Sequence, residues 1–221
     1  MDHACVLLFV KVPEKGCVKT RLARDFNDDF AVRLYESMAL DTIDTLKRIP
    51  FPFRICYSPP DALDRMQAWL GREQVYMPQS GEDLGERMEQ AFVRVLSEGM
   101  NRVSLIGSDI PGLSPGILTE AFNALESKDA VIGPADDGGY YLIGFNKEGF
   151  EPGVFHDMIW STDTVFQETV ARLERAARKV HLLPQCRDID RKDDLAALLA
   201  LDQGQDTVAS RTLALIRKGL K

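Results

Sequence analysis

Short apolar runs alternate with longer stretches of helical periodicity along most of this sequence. The first run, Ala4–Val10, is almost continuously apolar, which is typical of a strand in a parallel sheet that is covered on both faces. Similar runs predict strands at Phe53–Tyr57, at Gln74–Met77, from Val103 up to Gly107, and at Ala130–Pro134, Tyr140–Phe145 and Val180–Leu183. The alternation therefore predicts an α/β fold: a single three-layer α/β/α domain over residues 1–221 with a mainly parallel sheet.

The helical stretches begin at residues that favour helix starts. Ser114 before Pro115 fits an N-cap followed by the first helical position, where the missing proline N–H costs nothing. Other predicted starts are Asn27-Asp28, Pro59-Pro60-Asp61, Glu82-Asp83 and either Ser161 or Thr162, and two helices are predicted after Asp190. No period is clear over Asn146–Met158, which we interpret as an insertion or an extra β element.

Charge and cysteine content exclude several classes of partner. The formal net charge is -7, so binding to nucleic acid or to an anionic membrane is not expected. Ala4–Val10 is too short to span a bilayer and follows no basic leader, so we expect neither a membrane span nor a signal peptide. The four cysteines form no C-x-x-C pair, which favours free thiols and a cytoplasmic protein. Small molecules are therefore the expected partners.

Asp109 is predicted to stand at the carboxyl end of a buried strand. In open α/β sheets this edge is where ligands bind, and burying a carboxylate without a partner is costly. One interpretation is that Asp109 binds a divalent metal or a substrate hydroxyl. The other is that it caps the following turn, and this stretch alone does not decide between them.

A basic loop, Lys11–Arg21, follows the first strand. Lys11, Lys15, Lys19 and Arg21 lie in it, and such a cluster in an acidic protein suits phosphate oxygens. Gly16 would allow the backbone to approach a ligand closely. The loop matches neither the Rossmann fingerprint nor the Walker loop, and a solvated basic loop is the alternative.

Ser80–Met88 is a glycine-bounded turn that leads into a helix. Its backbone N–H groups could bind part of a nucleotide, with Leu84 and Gly85 as the predicted contact residues. Two acids near the helix start would repel phosphate, which makes contacts to base or ribose the more plausible ones. Simple helix capping is the alternative.

Two further carboxylate pairs are predicted near the same edge of the sheet. Asp136-Asp137 beside Gly138-Gly139 could bind a hydroxyl-rich substrate or supply a general base, or it could form a hairpin turn. Asp188-Ile-Asp190 alternates as a strand would, so that both carboxylates would share a side. If that side faces Asp109, Asp190 could complete a magnesium site; capping the next helix is the alternative.

Taken together, these stretches resemble the nucleotide-diphospho-sugar transferase superfamily with the glycosyltransferase-A fold. The likeness is to a bacterial group that is similar to phospholactate and molybdenum-cofactor guanylyltransferases. The matching motifs are K-x-P-x-x-G-x-V-K-T-R-L at Lys11–Leu22, G-E-D-L-G-E-R-M at Gly81–Met88, I-G-S-D-I-P-G-L at Ile106–Leu113, P-A-D-D-G-G-Y-Y-L-I-G at Pro134–Gly144, Trp160-Ser161-Thr162, and D-I-D at Asp188–Asp190.

The resemblance implies a role for each of these motifs. Lys11, Lys19 and Arg21 would bind nucleotide phosphates, Asp109 with Asp190 would hold Mg²⁺ or Mn²⁺, and Asp136–Gly139 would line the sugar or acceptor side. The sequence departs from the D-x-D metal motif of sugar transferases, because Gly107 replaces the first aspartate. Compared with guanylyltransferases, it has fewer glycines in the first loop.

Two hypotheses about function follow. In the first, the protein is a metal-dependent transferase in which Asp109, Lys19 and Asp137 are catalytic and a nucleotide or sugar nucleotide is the substrate. Either a glycosyl group or a nucleotidyl group would pass to an unknown acceptor. In the second hypothesis, the protein is a nucleotide-binding sensor with little catalysis.

Overall fold

The structure, a computed structural model, describes residues 3–201 and 209–219. Its strands are β1 (Ala4–Lys11), β2 (Phe53–Ser58), β3 (Tyr76–Pro78), β4 (Arg102–Ile106), β5 (Ala130–Pro134), β6 (Tyr140–Asn146) and β7 (Val180–Leu182). They form a seven-stranded sheet with the order β3-β2-β1-β4-β6-β5-β7. All neighbouring pairs are parallel except those that include β6, which runs antiparallel to β4 and β5. The prediction of a mainly parallel sheet is confirmed.

Helices connect most of these strands. They are α1 (Thr20–Asp25), α2 (Asp28–Leu46), α3 (Leu63–Leu70), α4 (Leu84–Ser97), α5 (Pro115–Ala124), α6 (Val165–Arg175), α7 (Lys192–Leu201) and α8 (Ser210–Gly219), with a short 3₁₀ turn at Pro152–Val154. Within the described part of the chain, no helix is long and apolar enough to cross a bilayer.

The sheet is covered on both faces, as its continuously apolar strands predict. Leu8 of β1 belongs to a core that also contains Leu34 of α2 and Phe122 of α5. The neighbouring Leu7 points to the opposite face, where it shares a second core with Phe92 of α4. Three layers result, and the carboxyl ends of β1, β2, β3 and β4 lie along one edge of the sheet.

Three of the predicted helix starts are confirmed in detail. The side chains of Asn27, Asp83 and Ser114 each accept a hydrogen bond from the backbone N–H three residues later. These are N-caps, which satisfy a donor that the helix itself leaves without a partner.

The predicted cap of α6 is wrong. The helix begins at Val165, and its N-cap is Thr164, whose side chain makes no capping hydrogen bond. The Thr162 hydroxyl instead donates to the Ile159 carbonyl at 2.9 Å, and Ser161 has a positive φ of 64°. The dipeptide therefore belongs to a turn that precedes the helix.

The prediction of a strand at Asp188–Asp190 is also wrong. β7 ends at Leu182, and after it the described chain has only an isolated bridge between Ala135 and Cys186. The Asp194 carboxylate accepts hydrogen bonds from the N–H groups of Asp190, at 3.1 Å, and Arg191, at 2.7 Å. These bonds direct the chain into the start of α7. Local capping therefore takes the place of the strand hydrogen bonds that the alternating pattern indicated.

Asp41 of α2 anchors the start of α8. Its side chain is only 1% exposed, and it accepts hydrogen bonds from the N–H groups of Arg211 and Thr212 and from the Thr212 hydroxyl, at 3.1, 2.9 and 2.7 Å. A buried carboxylate that caps a helix start in this way favours one docking position for α8 on α2.

We expect Asp41→Ala to lower the free energy of unfolding by about 3 kcal/mol, because it leaves buried N–H groups without acceptors. Urea denaturation followed by circular dichroism measures this loss. Asp44→Ala is the control, since the half-exposed Asp44 carboxylate pairs with the half-exposed Arg211 side chain and surface pairs contribute little. Equal losses in the two variants would contradict the anchoring role.

Candidate functional site

Two adjoining cavities open at the edge of the sheet where β1 and β4 end. The first cavity, of about 450 Å³, is lined by charged groups that include Lys11, Lys19, Arg87, Asp109 and Asp190. The second cavity, of about 330 Å³, has fewer charged residues in its wall. The two share six lining residues: Phe9, Leu84, Gly107, Asp109, Trp160 and Ser161. A further groove of about 560 Å³ beside α5 lies apart from all the predicted site residues.

A buried lysine joins three separate parts of the chain at the first cavity. Lys19 Nζ lies 3.1 Å from Asp109 Oδ2 and 2.8 Å from Asp190 Oδ1. Arg21 Nη1 contacts the other oxygen of Asp190, Oδ2, at 3.0 Å. The Lys19 side chain is 4% exposed, whereas that of Asp109 is 44% exposed and faces the cavities. The predicted meeting of Asp109 and Asp190 therefore occurs, with an ammonium group between them.

Lys19 and Asp109 hold each other in their ionised forms. Burial by itself lowers the pKa of Lys19, but Asp109 and Asp190 together raise it further, so the pKa lies above its usual value. Lys19 in turn holds the pKa of Asp109 below its usual value, against the opposing effect of burial. The cluster is thus a cation held by two carboxylates rather than a neutral network.

Tyr35 of α2 ties the ends of β1 and β4 together beneath this cluster. Its hydroxyl accepts hydrogen bonds from the Lys11 N–H at 2.8 Å and from the Ser108 hydroxyl at 3.2 Å. Burial raises the pKa of Tyr35 to about 12, so the group stays a neutral phenol. Sequence reasoning missed both Tyr35 and Ser108, because Tyr35 lies within the apolar stripe of α2 and looks like a core residue.

Gly107, at the position of the first aspartate of a D-x-D motif, lies beside the Asp109 carboxylate. A Cβ atom on Gly107 would lie 2.8 Å from Asp109 Oδ1, so a side chain at position 107 would require that carboxylate to shift.

The Ser80–Met88 stretch caps the start of α4 and also forms part of the walls of the two cavities. Asp83 caps α4, and the Glu86 carboxylate accepts the Glu82 N–H at 2.8 Å. Leu84 is 44% exposed and lines both cavities. Gly85 lies behind it, where a Cβ would meet the Phe155 carbonyl oxygen at 2.5 Å. Two residues that were not predicted, Gln79 and Arg87, also line the first cavity.

The Asp136–Gly139 stretch forms the tip of the β5–β6 hairpin. Asp137 accepts the Gly139 N–H at 2.9 Å, and both residues line the second cavity. Gly138 has a φ of +87°, and a Cβ there would collide with the backbone of Asp163. Asp136 is held by Arg187 at 3.0 Å and Gln185 at 2.9 Å and does not line either cavity. Hairpin geometry and a place beside a cavity are thus both present.

The remaining predicted residues lie at the margin of the site. Lys11 is exposed and lines the first cavity. Arg21 reaches the cavity only through Asp190, and Gly16 lines neither cavity. Among residues 3–201 and 209–219, no group of three or more His, Cys, Asp or Glu side chains is arranged to hold a metal ion.

Comparison with known proteins places this geometry in context. The family described as "Uncharacterized protein conserved in bacteria (DUF2064)" matches residues 42–162. A structure described as a "putative nucleotide-diphospho-sugar transferase" from Desulfovibrio desulfuricans G20 is 40% identical, covers 99% of this chain and 98% of its own, and has a TM-score of 0.91. No curated protein matches at a significant level.

More distant structures share the fold. Rv0371c from Mycobacterium tuberculosis H37Rv, in complex with manganese, is 18% identical over 90% of this chain and 98% of its own, with a TM-score of 0.54. A cytidylyltransferase from Leptospira borgpetersenii serovar Hardjo-bovis (strain JB197) is 13% identical over 99% and 95%, with a TM-score of 0.55. The resemblance to nucleotide-diphospho-sugar transferases and the predicted glycosyltransferase-A type of fold are confirmed.

We expect Lys19→Met to lower the free energy of unfolding by about 1–3 kcal/mol in the presence of EDTA, because Asp109 and Asp190 would then face each other without the ammonium group between them. Chemical denaturation of the purified variant measures the change. The matched control is Lys15→Met in the same loop, whose exposed pair with Asp29 should leave stability within error of the unmodified protein. A Lys19→Met variant as stable as its control would argue against this role for the ammonium group.

Proposed function

Because this chain belongs to the bacterial family that matches its residues 42–162, and because its Desulfovibrio relative spans it almost end to end, we propose that it is a transferase acting on a nucleotide-activated substrate. The favoured reaction is glycosyl transfer from a sugar nucleotide. The observation that carries the proposal is the Lys19 ammonium group held between Asp109 and Asp190, at the point where the first cavity meets the second.

The charged cavity suits a nucleoside diphosphate. Lys11, Lys19 and Arg87 supply its cationic groups, and Gln79 adds an amide. The Gln79 Nε2 group already donates to the Cys56 carbonyl at 2.7 Å, which fixes the orientation of the amide. Fixed polar groups in a cavity are what gives a ligand its orientation.

The Asp109 carboxylate suits a divalent ion. It is 44% exposed and faces the cavities, whereas the two oxygens of Asp190 already contact Lys19 and Arg21. Mg²⁺ commonly takes only one or two protein carboxylates, so a Mg²⁺ or Mn²⁺ held by Asp109 would neutralise diphosphate charge at this end of the cavity. That a mycobacterial protein of the same fold was crystallised with manganese supports this cofactor.

Each of the chain's own groups then has a role. Lys19, with Arg21 behind it, stabilises negative charge on the diphosphate as the bond to it breaks. Asp190 orients both cations through its two oxygens. Asp137 lines the second cavity with its carboxylate fixed by the Gly139 N–H, and it is the group positioned to accept a proton from an acceptor hydroxyl.

Nucleotidyl transfer is the second candidate, because the fold is shared with a cytidylyltransferase. A thermal-shift panel of nucleoside triphosphates, diphosphates and sugar nucleotides, with and without Mg²⁺ or Mn²⁺, identifies which class binds. Product analysis of the stabilising ligands then separates the reactions. Release of nucleoside diphosphate supports glycosyl transfer, and release of pyrophosphate supports nucleotidyl transfer. Binding without any product would overturn the transferase proposal in favour of a sensor.

We expect Asp109→Asn to remain folded but to lose metal-dependent stabilisation by nucleotide and at least about 100-fold in turnover, since the substitution removes a charge at the reacting end of the cavity. Thermal shift and product release measure these two effects. Asp44→Asn, a charge loss on α2 outside both cavities, is the control. Unchanged turnover in Asp109→Asn would rule out the proposed role of this carboxylate.

A further inference from the structure

A further cavity, which we call the arginine cavity, lies next to the Lys19 cluster but outside the first and second cavities. It has a volume of about 430 Å³, and residues of α1 and of the start of α7 line it: Arg21, Arg24, Asp25, Arg191, Lys192 and Asp193. It shares no lining residue with the first or the second cavity. Arg21 connects it to the cluster, since Arg21 Nη1 contacts Asp190 Oδ2 at 3.0 Å.

Positive charge predominates in the wall of the arginine cavity. Four of its six lining residues are cations and two are carboxylates, although the protein as a whole has a net charge of -7. Within the described part of the chain, neither Asp25 nor Asp193 forms an ion pair with these cations. Like charges gathered in one concavity repel one another, and a bound anion relieves that repulsion.

Most of the hydrogen-bond donors of these cations are available to a ligand. The side chains of Arg24, Arg191 and Lys192 are exposed and have no hydrogen bond or ion pair to another described residue. Arg21 is also exposed and donates only through Nη1, to Asp190, which leaves its Nε and Nη2 groups. Each guanidinium group is a planar fork that matches the oxygens of a phosphate or carboxylate.

The size and charge of the arginine cavity favour a phosphate group on a small molecule. A phosphate monoester carries a charge of about −1.5 to −2 at pH 7 and three acceptor oxygens, so it can engage several cations at once. The volume of 430 Å³ far exceeds the roughly 30 Å³ share of one water molecule, which leaves room for an organic group beside the phosphate. A long polyanion is disfavoured, because the rest of this acidic protein would repel it.

We propose that the arginine cavity binds the phosphate group of a small phosphorylated compound, with Arg21, Arg24 and Arg191 as donors and Lys192 as a further positive charge. This site is separate from the two cavities assigned to the nucleotide-activated substrate, and it does not depend on the transferase function. The same chemistry can come from two sources: a phosphate ester of a hydroxyl compound, or free inorganic phosphate.

Isothermal titration calorimetry in a buffer without phosphate tests the proposal. Inorganic phosphate is the ligand in one arm, and glycerol 3-phosphate and glucose 1-phosphate are the ligands in the other. The starting protein is Lys11→Gln/Arg87→Gln, which removes two cations from the first cavity and so reduces phosphate binding there. Adding Arg24→Gln/Arg191→Gln should weaken binding at least about tenfold, because it removes two guanidinium groups from the wall.

The matched control removes the same two charges elsewhere. Arg72→Gln/Lys147→Gln changes two exposed residues that line none of these cavities, and it should change the affinity by about twofold or less. Circular dichroism verifies that every variant folds. The same comparison in the otherwise unmodified chain tests the proposal should the Lys11→Gln/Arg87→Gln protein fail to fold.

The two arms identify the source of the phosphate. Tighter binding of an ester than of inorganic phosphate supports a phosphorylated compound, and equal affinities support free phosphate, since the organic group then adds nothing. If Arg24→Gln/Arg191→Gln binds these ligands as its control does, or if no phosphate ligand binds at millimolar concentration, the proposal is overturned. Either of those two results leaves the transferase proposal standing, because that proposal concerns the first and second cavities.

Discussion

The site depends on one buried cation. Lys19 is almost fully removed from solvent, and an ammonium group in that position needs partners, because an unpaired buried charge is very costly. Its partners come from the end of β4 and from the segment before α7, some 90 and 171 residues further along the chain. The same interaction therefore fixes the path of the basic loop, the orientation of Asp109 and the position of Asp190.

The features that could be predicted from the sequence are those whose causes are local. Continuous apolar runs indicated the strands because a parallel sheet is buried on both faces, and Ser114-Pro115 indicated a helix start because its cap lies within the same few residues. The edge of the sheet that carries Asp109 followed from strand direction alone. None of these features depends on which distant segment is a neighbour.

What could not be predicted depends on contacts between distant residues. The spacing of Asp188 and Asp190 fits both a strand and a helix cap. The structure shows the cap, because the N–H groups of Asp190 and Arg191 donate to the Asp194 carboxylate. Tyr35 has the spacing of a core residue, and its hydroxyl gains a role only when Lys11 and Ser108 meet above it. The pairing of Asp109 with Asp190 was foreseen as a metal site, whereas the ammonium group between them was not.

The cations in the wall of the first cavity bear on the chemistry more directly than the fold does, since one fold serves many reactions. Asp109 and Gly107 lie in the walls of both the first and the second cavity, so under the proposed function the reacting bond would lie at this junction. In the proposed reaction, the cations in the wall of the first cavity would attract the diphosphate, so that a substrate with its charge at one end would be oriented before any specific contact is made. Its other end would then face Asp137, whose carboxylate accepts the Gly139 N–H in the wall of the second cavity.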